Sequence, residues 1–143
     1  SQIVQTEEFK DINSTESVRK LIELRPDIVI VFGTGILRKN LLGSINCPIL
    51  NLHGGDPEEY RGLDSHLWAI YHNDFNSLLV TLHHVEPELD TGDIILQDAI
   101  KLRNKMKLKD FICLGTCIFV FGCGQAHPTT SRPGVALHLI RAK

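Results

Sequence analysis

After Asp27, Ile28-Val29-Ile30-Val31-Phe32 is an unbroken apolar run with four consecutive β-branched residues. A strand with one face in water alternates apolar and polar side chains. A continuous run belongs to a strand covered on both faces, as in a parallel sheet flanked by helices. Gly33-Thr34-Gly35 follows at its C-terminal end, and in open α/β sheets that end is where ligands bind. The run therefore points to an α/β fold with a mostly parallel sheet.

The flanking segments agree. Asn13, with Glu16 three residues on, resembles a capping box for a helix whose stripe is Val18, Leu21, Ile22 and Leu24. Arg25-Pro26 ends that helix. Arg38 to Leu42 suits a short helix closed by Gly43, and Pro48 to Leu52 reads as the next strand. A Gly-rich charged loop runs from Gly54 to Leu63. Asp64 can cap a helix from Ser65 to about Asn73, with Leu67, Trp68 and Tyr71 on one face. Leu78–His84 and Ile94–Ile100 read as strands joined by the loop Val85–Asp93. The expected order through residue 100 is α-β-(α)-β-α-β-β.

The last third differs in character. Residues 1–98 carry 7 Lys/Arg against 16 Asp/Glu, whereas residues 99–143 carry 8 against 1. Lys101, Arg103, Lys105, Lys107 and Lys109 suit a solvated edge strand better than a phosphate or nucleic-acid surface. Phe111 to Cys123 reads as buried, Gln125 to Gly134 as turns, and Val135 to Ile140 as a short strand. Residues 1–110 are thus expected to form one part of an α/β domain, and 111–143 an atypical C-terminal segment.

With 143 residues the chain is long enough for one modest core. The net charge of −2 gives no global basic field, so nucleic acid is not the expected partner. Cys47, Cys113, Cys117 and Cys123 form no C-x-x-C pair, which suits a reduced, cytoplasmic setting. The N-terminus is polar and acidic, unlike a secretory signal. The longest apolar stretch, Phe111–Cys123, falls short of the ~20 residues of a membrane-spanning helix.

Chemistry concentrates at Asn51-Leu52-His53 and Leu89-Asp90-Thr91-Gly92. Residues two apart on a strand point the same way, so Asn51 and His53 share a face. An amide can donate to a developing oxyanion, an imidazole can move a proton, and a carboxylate can orient the imidazole. These are groups suited to moving an acyl unit onto an amine.

The surrounding blocks make the set specific. Asn51-Leu52-His53-Gly54-Gly55-Asp56-Pro57-Glu58-Glu59-Tyr60-Arg61-Gly62, Leu67-Trp68-Ala69-Ile70, Val80-Thr81-Leu82-His83 and Leu89-Asp90-Thr91-Gly92-Asp93-Ile94-Ile95 together resemble the folate-dependent formyltransferase family. The resemblance covers roughly residues 15–110. It implies a Rossmann-like fold, 10-formyltetrahydrofolate as formyl donor and a small-molecule amine as acceptor. By matching positions it makes Asn51, His53 and Asp90 catalytic. It also places Phe32, Gly33, Ile36, Leu37, Val85, Glu86, Leu89 and Asp90 around the folate. Arg61 is a candidate for steering a phosphate or carboxylate of the acceptor, weighed evenly against a loop-anchoring role. Asp93 reads as structural. His66, His72, His83 and His84 are not expected to hold a metal, since neighbours on a strand face opposite ways.

Two departures refine the expectation. The tRNA-acylating branch usually has a Ser-Leu-Leu-Pro-like stretch after the His, where this chain has Gly54-Gly55-Asp56-Pro57-Glu58-Glu59. That favours a small, nucleotide-sugar-like acceptor over methionyl-tRNA. The family's opening βαβ stretch has no match, so the resemblance is N-terminally incomplete. Strand 27–32 would then be an apolar edge needing cover, from Phe111–Phe121 or from a second copy in a homodimer. A catalytically silent folate-binding fragment is the alternative reading.

Overall fold

The computed structural model describes residues 6–102, 104–107 and, as backbone, 135–138. The expectations for Arg103, Lys109, Phe111–Cys123 and Gln125–Gly134 lie outside the described residues, as do Cys113, Cys117 and Cys123. Lys101, Lys105 and Lys107, expected on an edge strand, lie beyond the strand Ile94–Ala99 in a turn and irregular backbone. Among the described residues no helix is long and apolar enough to cross a membrane, and Cys47 is a free thiol.

A short strand β1 (Thr6–Phe9) pairs antiparallel with β6 (Val135–His138). The strand expected after Gly134 is therefore present. Its partner was not anticipated, because Thr6-Glu7-Glu8 has none of the apolar alternation that marks a strand.

Helix α1 (Thr15–Leu24) is capped one residue later than the sequence suggests. Ser14 has extended backbone and its Oγ accepts the Ser17 N–H at 3.2 Å. Asn13 serves another purpose. Its Oδ1 accepts from the Arg38 N–H at 2.7 Å and its Nδ2 donates to the Ile36 carbonyl at 3.0 Å. The start of α1 thereby anchors the 36–38 loop. Arg25, in the left-handed region at φ 45°, ends the helix with its N–H on the Ile22 carbonyl. Of the expected stripe only Leu21 is fully buried, beside Ser17, while Ile22 is exposed.

The main sheet has strand order β2 (Val29–Val31), β3 (Ile49–His53), β4 (Leu79–His84), β5 (Ile94–Ala99). It is mixed rather than mostly parallel: β2 and β3 run parallel, whereas β3–β4 and β4–β5 are antiparallel. The β4–β5 step follows from its connection of residues 85–93, too short for a crossover. The β3–β4 connection carries a helix and still returns the chain antiparallel. The crossover between β2 and β3 holds the short helix α2 (Lys39–Leu42).

The apolar run that defines β2 is covered on one face only. Val29 and Val31 join Ile12, Leu21, Leu37, Leu41 and Ile49 in a core under α1, while Ile28, Ile30 and Phe32 are exposed. β2 is an edge of the sheet, so the two-sided burial expected from its composition is not met among the described residues.

A second core joins Leu52, Ala69, Leu78, Val80 and Ile100. Helix α3 (Ser65–Tyr71) packs on it through Ala69 and Ile70, and its Ser65 and His66 are also buried. Trp68 and Tyr71, expected on its buried face, are exposed. His66 decides the orientation, because its Nε2 bonds the Leu79 carbonyl of β4 at 2.7 Å. Asp64 precedes α3 as expected, but its backbone is left-handed and its side chain makes no cap bond.

Candidate active site

The C-terminal ends of β2 and β3 open onto a cavity of about 560 Å³, within the size range of small-molecule and cofactor sites. Phe32, Gly33, Ile36, Leu37, Val85, Glu86, Leu89 and Asp90 all line it, as do Asn51 and His53. Phe32, Ile36 and Leu89 expose apolar surface there, which suits a flat aromatic ring. Arg61 is not among the lining residues. It is exposed, and its Nε donates to the Pro57 carbonyl at 3.1 Å, the loop-anchoring arrangement.

Asp90 is the hub. The β4–β5 loop carries it in a left-handed conformation, φ 52°, which Asp tolerates better than most residues. Gly92 lets the loop fold back on β4, since a Cβ there would lie 1.9 Å from the His84 carbonyl oxygen. The His84 N–H donates to the Asp93 carbonyl at 3.0 Å, so Asp93 closes the loop through its backbone. With the loop so held, Asp90 Oδ2 accepts the Gly62 N–H at 2.8 Å and Oδ1 accepts from Asn51 Nδ2 at 3.1 Å. His53 Nδ1 stands 3.7 Å from Oδ2. The three residues singled out in the sequence therefore meet.

The other face of His53 is occupied. Its Nε2 lies 2.9 Å from the Tyr60 carbonyl and 3.2 Å from Ser65 Oγ. A carbonyl only accepts, so Nε2 carries the hydrogen and Nδ1 is the nitrogen that faces Asp90.

The structure adds a fourth residue, His83. It lies opposite Asn51 in the β3–β4 register, is buried, and lines the same cavity. Its Nε2 is 3.2 Å from Asn51 Nδ2 and 3.6 Å from Asp90 Oδ1. A bulge between Leu82 and His83 on the β5 side is a common way to aim a side chain into a site. The available sequence signal was strand parity: His83 and Thr81 alternate together, but only the register shows that they oppose Asn51 and His53.

The electrostatics follow from these contacts. The hydrogen bond to Asp90 raises the His83 pKa above the usual 6.5, against the opposing effect of burial. Burial pushes the Asp90 carboxyl up. The His83 hydrogen bond, the Gly62 N–H and the two imidazoles outweigh it and hold the carboxyl below 3.8. His66 is pushed down by burial, in keeping with a structural role. Ligand atoms of His53, His83 and Asp90 lie within 4.8 Å of one another, a grouping able to hold a metal ion. The Asn51 amide nitrogen, a donor rather than a ligand, sits against two of them.

Comparison with known proteins gives this geometry a family. The profile of the family described as Formyl transferase matches residues 2–111. The chain is 34% identical over 102 residues to the methionyl-tRNA formyltransferase of Finegoldia magna, covering 71% of this chain and 33% of that protein. It is 38% identical over 90 residues to the methionyl-tRNA formyltransferase of Clostridium beijerinckii, covering 62% and 29%. The chain thus spans about a third of the length of these curated relatives. The crystal structure of phosphoribosylglycinamide formyltransferase from Bacillus halodurans superposes with a TM-score of 0.59 at 26% identity, covering 73% of this chain and 56% of that one. Sequence profile, relatives and fold agree, and the chain belongs to the formyl transferase family.

Proposed function

We propose that the protein transfers a formyl group from 10-formyltetrahydrofolate to a primary amine, with Asn51, His53 and Asp90 at the reacting centre. The convergence of Asn51 and His53 on one buried carboxylate at the floor of an apolar cavity carries this reading. The pterin would lie among Phe32, Ile36, Leu37 and Leu89, with backbone groups near Val85 and Glu86 meeting its polar edge.

The acceptor nitrogen attacks the formyl carbon and forms a C–N bond. The carbonyl electrons move to oxygen, and the oxyanion is met by the Asn51 amide and His53. Collapse breaks the bond between the formyl carbon and N10 of the folate. The proton lost by the amine is transferred to that nitrogen. His53 is the group placed to relay it, and Asp90 stands where a proton on Nδ1 would be received. The remaining task is to hold amine and formyl carbon together.

Two acceptor classes divide the support. The curated relatives named above are methionyl-tRNA formyltransferases, which favours an amine carried on tRNA. The acidic Asp56–Glu59 loop and the 7-to-16 balance of residues 1–98 oppose a polyanion and favour a small amine. A second reading is folate binding without turnover, for which the apolar lining of the cavity by Phe32, Ile36, Leu37 and Leu89 would suffice.

The test is calorimetry with 5-formyltetrahydrofolate, followed by formyl-transfer assays offering methionyl-tRNA or amino-sugar nucleotides. Turnover that falls at least about a hundredfold in His53→Ala, the cost of one oxyanion contact, supports the proposal. Turnover unchanged by that substitution overturns it. Binding without turnover supports the second reading.

A further inference from the structure

The Asn51 amide has two N–H groups, and both are directed at neighbours inside the protein. One faces Asp90 Oδ1 at 3.1 Å and the other His83 Nε2 at 3.2 Å. A carboxylate only accepts, so the amide nitrogen and not its oxygen must face Asp90. As long as both bonds persist, Asn51 has no N–H left for an oxyanion in the cavity.

His83 can exist in two states at this point. Its Nδ1 lies 2.8 Å from the His84 carbonyl, so Nδ1 carries a hydrogen in both charge states. Only Nε2 varies. Unprotonated, Nε2 accepts from Asn51. Protonated, it becomes a donor, opposes the Asn51 N–H, and turns instead to Asp90 Oδ1, 3.6 Å away. Asn51 then loses an acceptor, and the freed N–H can point into the cavity that both residues line.

We infer that His83 is a positioning residue whose protonation at Nε2 decides whether the Asn51 amide is held inward or released to donate to the reacting oxygen. The inference rests on the proposed role of Asn51 in formyl transfer. The groups facing His83 are Asp90 from the β4–β5 loop, Asn51 and His53 from β3, and its neighbour's carbonyl. The His53 ring stands 6.1 Å away, centroid to centroid, edge to face. Asp90 favours the protonated ring, whereas Asn51 and a charged His53 favour the neutral one.

The primary test is NMR on the 15N-labelled chain, which needs no turnover. The Asn51 side-chain amide is assigned with Asn51→Ser, and the His83 ring with His83→Gln. The amide resonance is expected to move with pH at the same midpoint as the His83 ring nitrogens. That movement should be absent in His83→Gln and kept in His53→Gln. An Asn51 amide indifferent to pH, or one that follows His53, overturns the inference. If His83→Gln fails to fold, the coincidence of midpoints in the unsubstituted protein decides.

The kinetic test adds a readout that a merely structural role would not move. His83→Gln should lower kcat roughly tenfold, about one hydrogen bond, leave KM unchanged, and flatten the pH dependence of kcat. A pH profile of kcat identical to that of the unsubstituted enzyme overturns the positioning role. If the unsubstituted protein binds folate but formylates no amine, the proposed function fails while the NMR result still judges the coupling.

Discussion

Asn51 and His83 lie directly opposite each other on β3 and β4, amide nitrogen 3.2 Å from imidazole Nε2, and share the buried carboxylate of Asp90. This pairing turns a strand motif and a loop motif into a single network. It also means that Asp90 answers to more than His53, and its removal should be felt throughout the site.

The first expectation concerns acid. The folded Asp90 carboxyl sits below its ordinary value of 3.8. Its contribution to stability is therefore fully present above the unfolded value and lost as pH falls through the folded one. Thermal melts of the unsubstituted chain should weaken progressively below about pH 4. In Asp90→Asn that component of the decline should be missing, whatever the absolute melting temperature.

His83 gives the opposite sign. Its folded value is raised above 6.5, so its contribution is fully present below that pH and lost as pH rises through the folded value. Urea titrations from pH 6 to 9 should show stability falling over this window. The fall should be smaller in His83→Gln, and an equal slope in the two proteins would contradict the assignment.

Gly92 has no room for a side chain, because the His84 carbonyl oxygen would lie 1.9 Å from its Cβ. Gly92→Ala must displace the Asp90 loop or the end of β4. A loss of about 3 kcal/mol or more, the upper end of overpacking, is expected in chemical denaturation. Weakened binding of 5-formyltetrahydrofolate should accompany it.

Thr81 is fully buried and its Oγ1 donates to the Gly55 carbonyl at 2.7 Å while accepting from Gln97 Nε2. Thr81→Val keeps the shape and removes the donor, leaving a buried carbonyl unpaired. The cost should be about 1–3 kcal/mol in denaturant unfolding.

Ser14→Ala removes the α1 cap and should cost about 1 kcal/mol. Asn13→Ala leaves the cap intact but frees the 36–38 loop. Calorimetry should show it weakening folate-analogue binding, whereas Ser14→Ala should not.

The sequence alone was sufficient for the elements whose signal is local. β2, β3, β4 and β5 lie where apolar and β-branched runs stand between turn residues, and Arg25-Pro26 ends α1 as its chemistry requires. Asn51, His53 and Asp90 were legible for a different reason. Strand parity puts Asn51 and His53 on one face, but it was the resemblance of the flanking blocks to the formyltransferase family that singled out these two and Asp90. What depended on partners was not legible. The exposed side of β2, the antiparallel turn of the sheet and the burial of Ala69 rather than Trp68 are set by what each element packs against. His83 makes the point at the site itself. Parity says that His83 and His84 face opposite ways, but not which of them faces Asn51. That is a matter of register between β3 and β4, where a shift of one residue would exchange the two. The sequence supplied the polar groups of the candidate site and the fold class. Only the tertiary structure, through register and loop closure, placed a second imidazole against the same carboxylate.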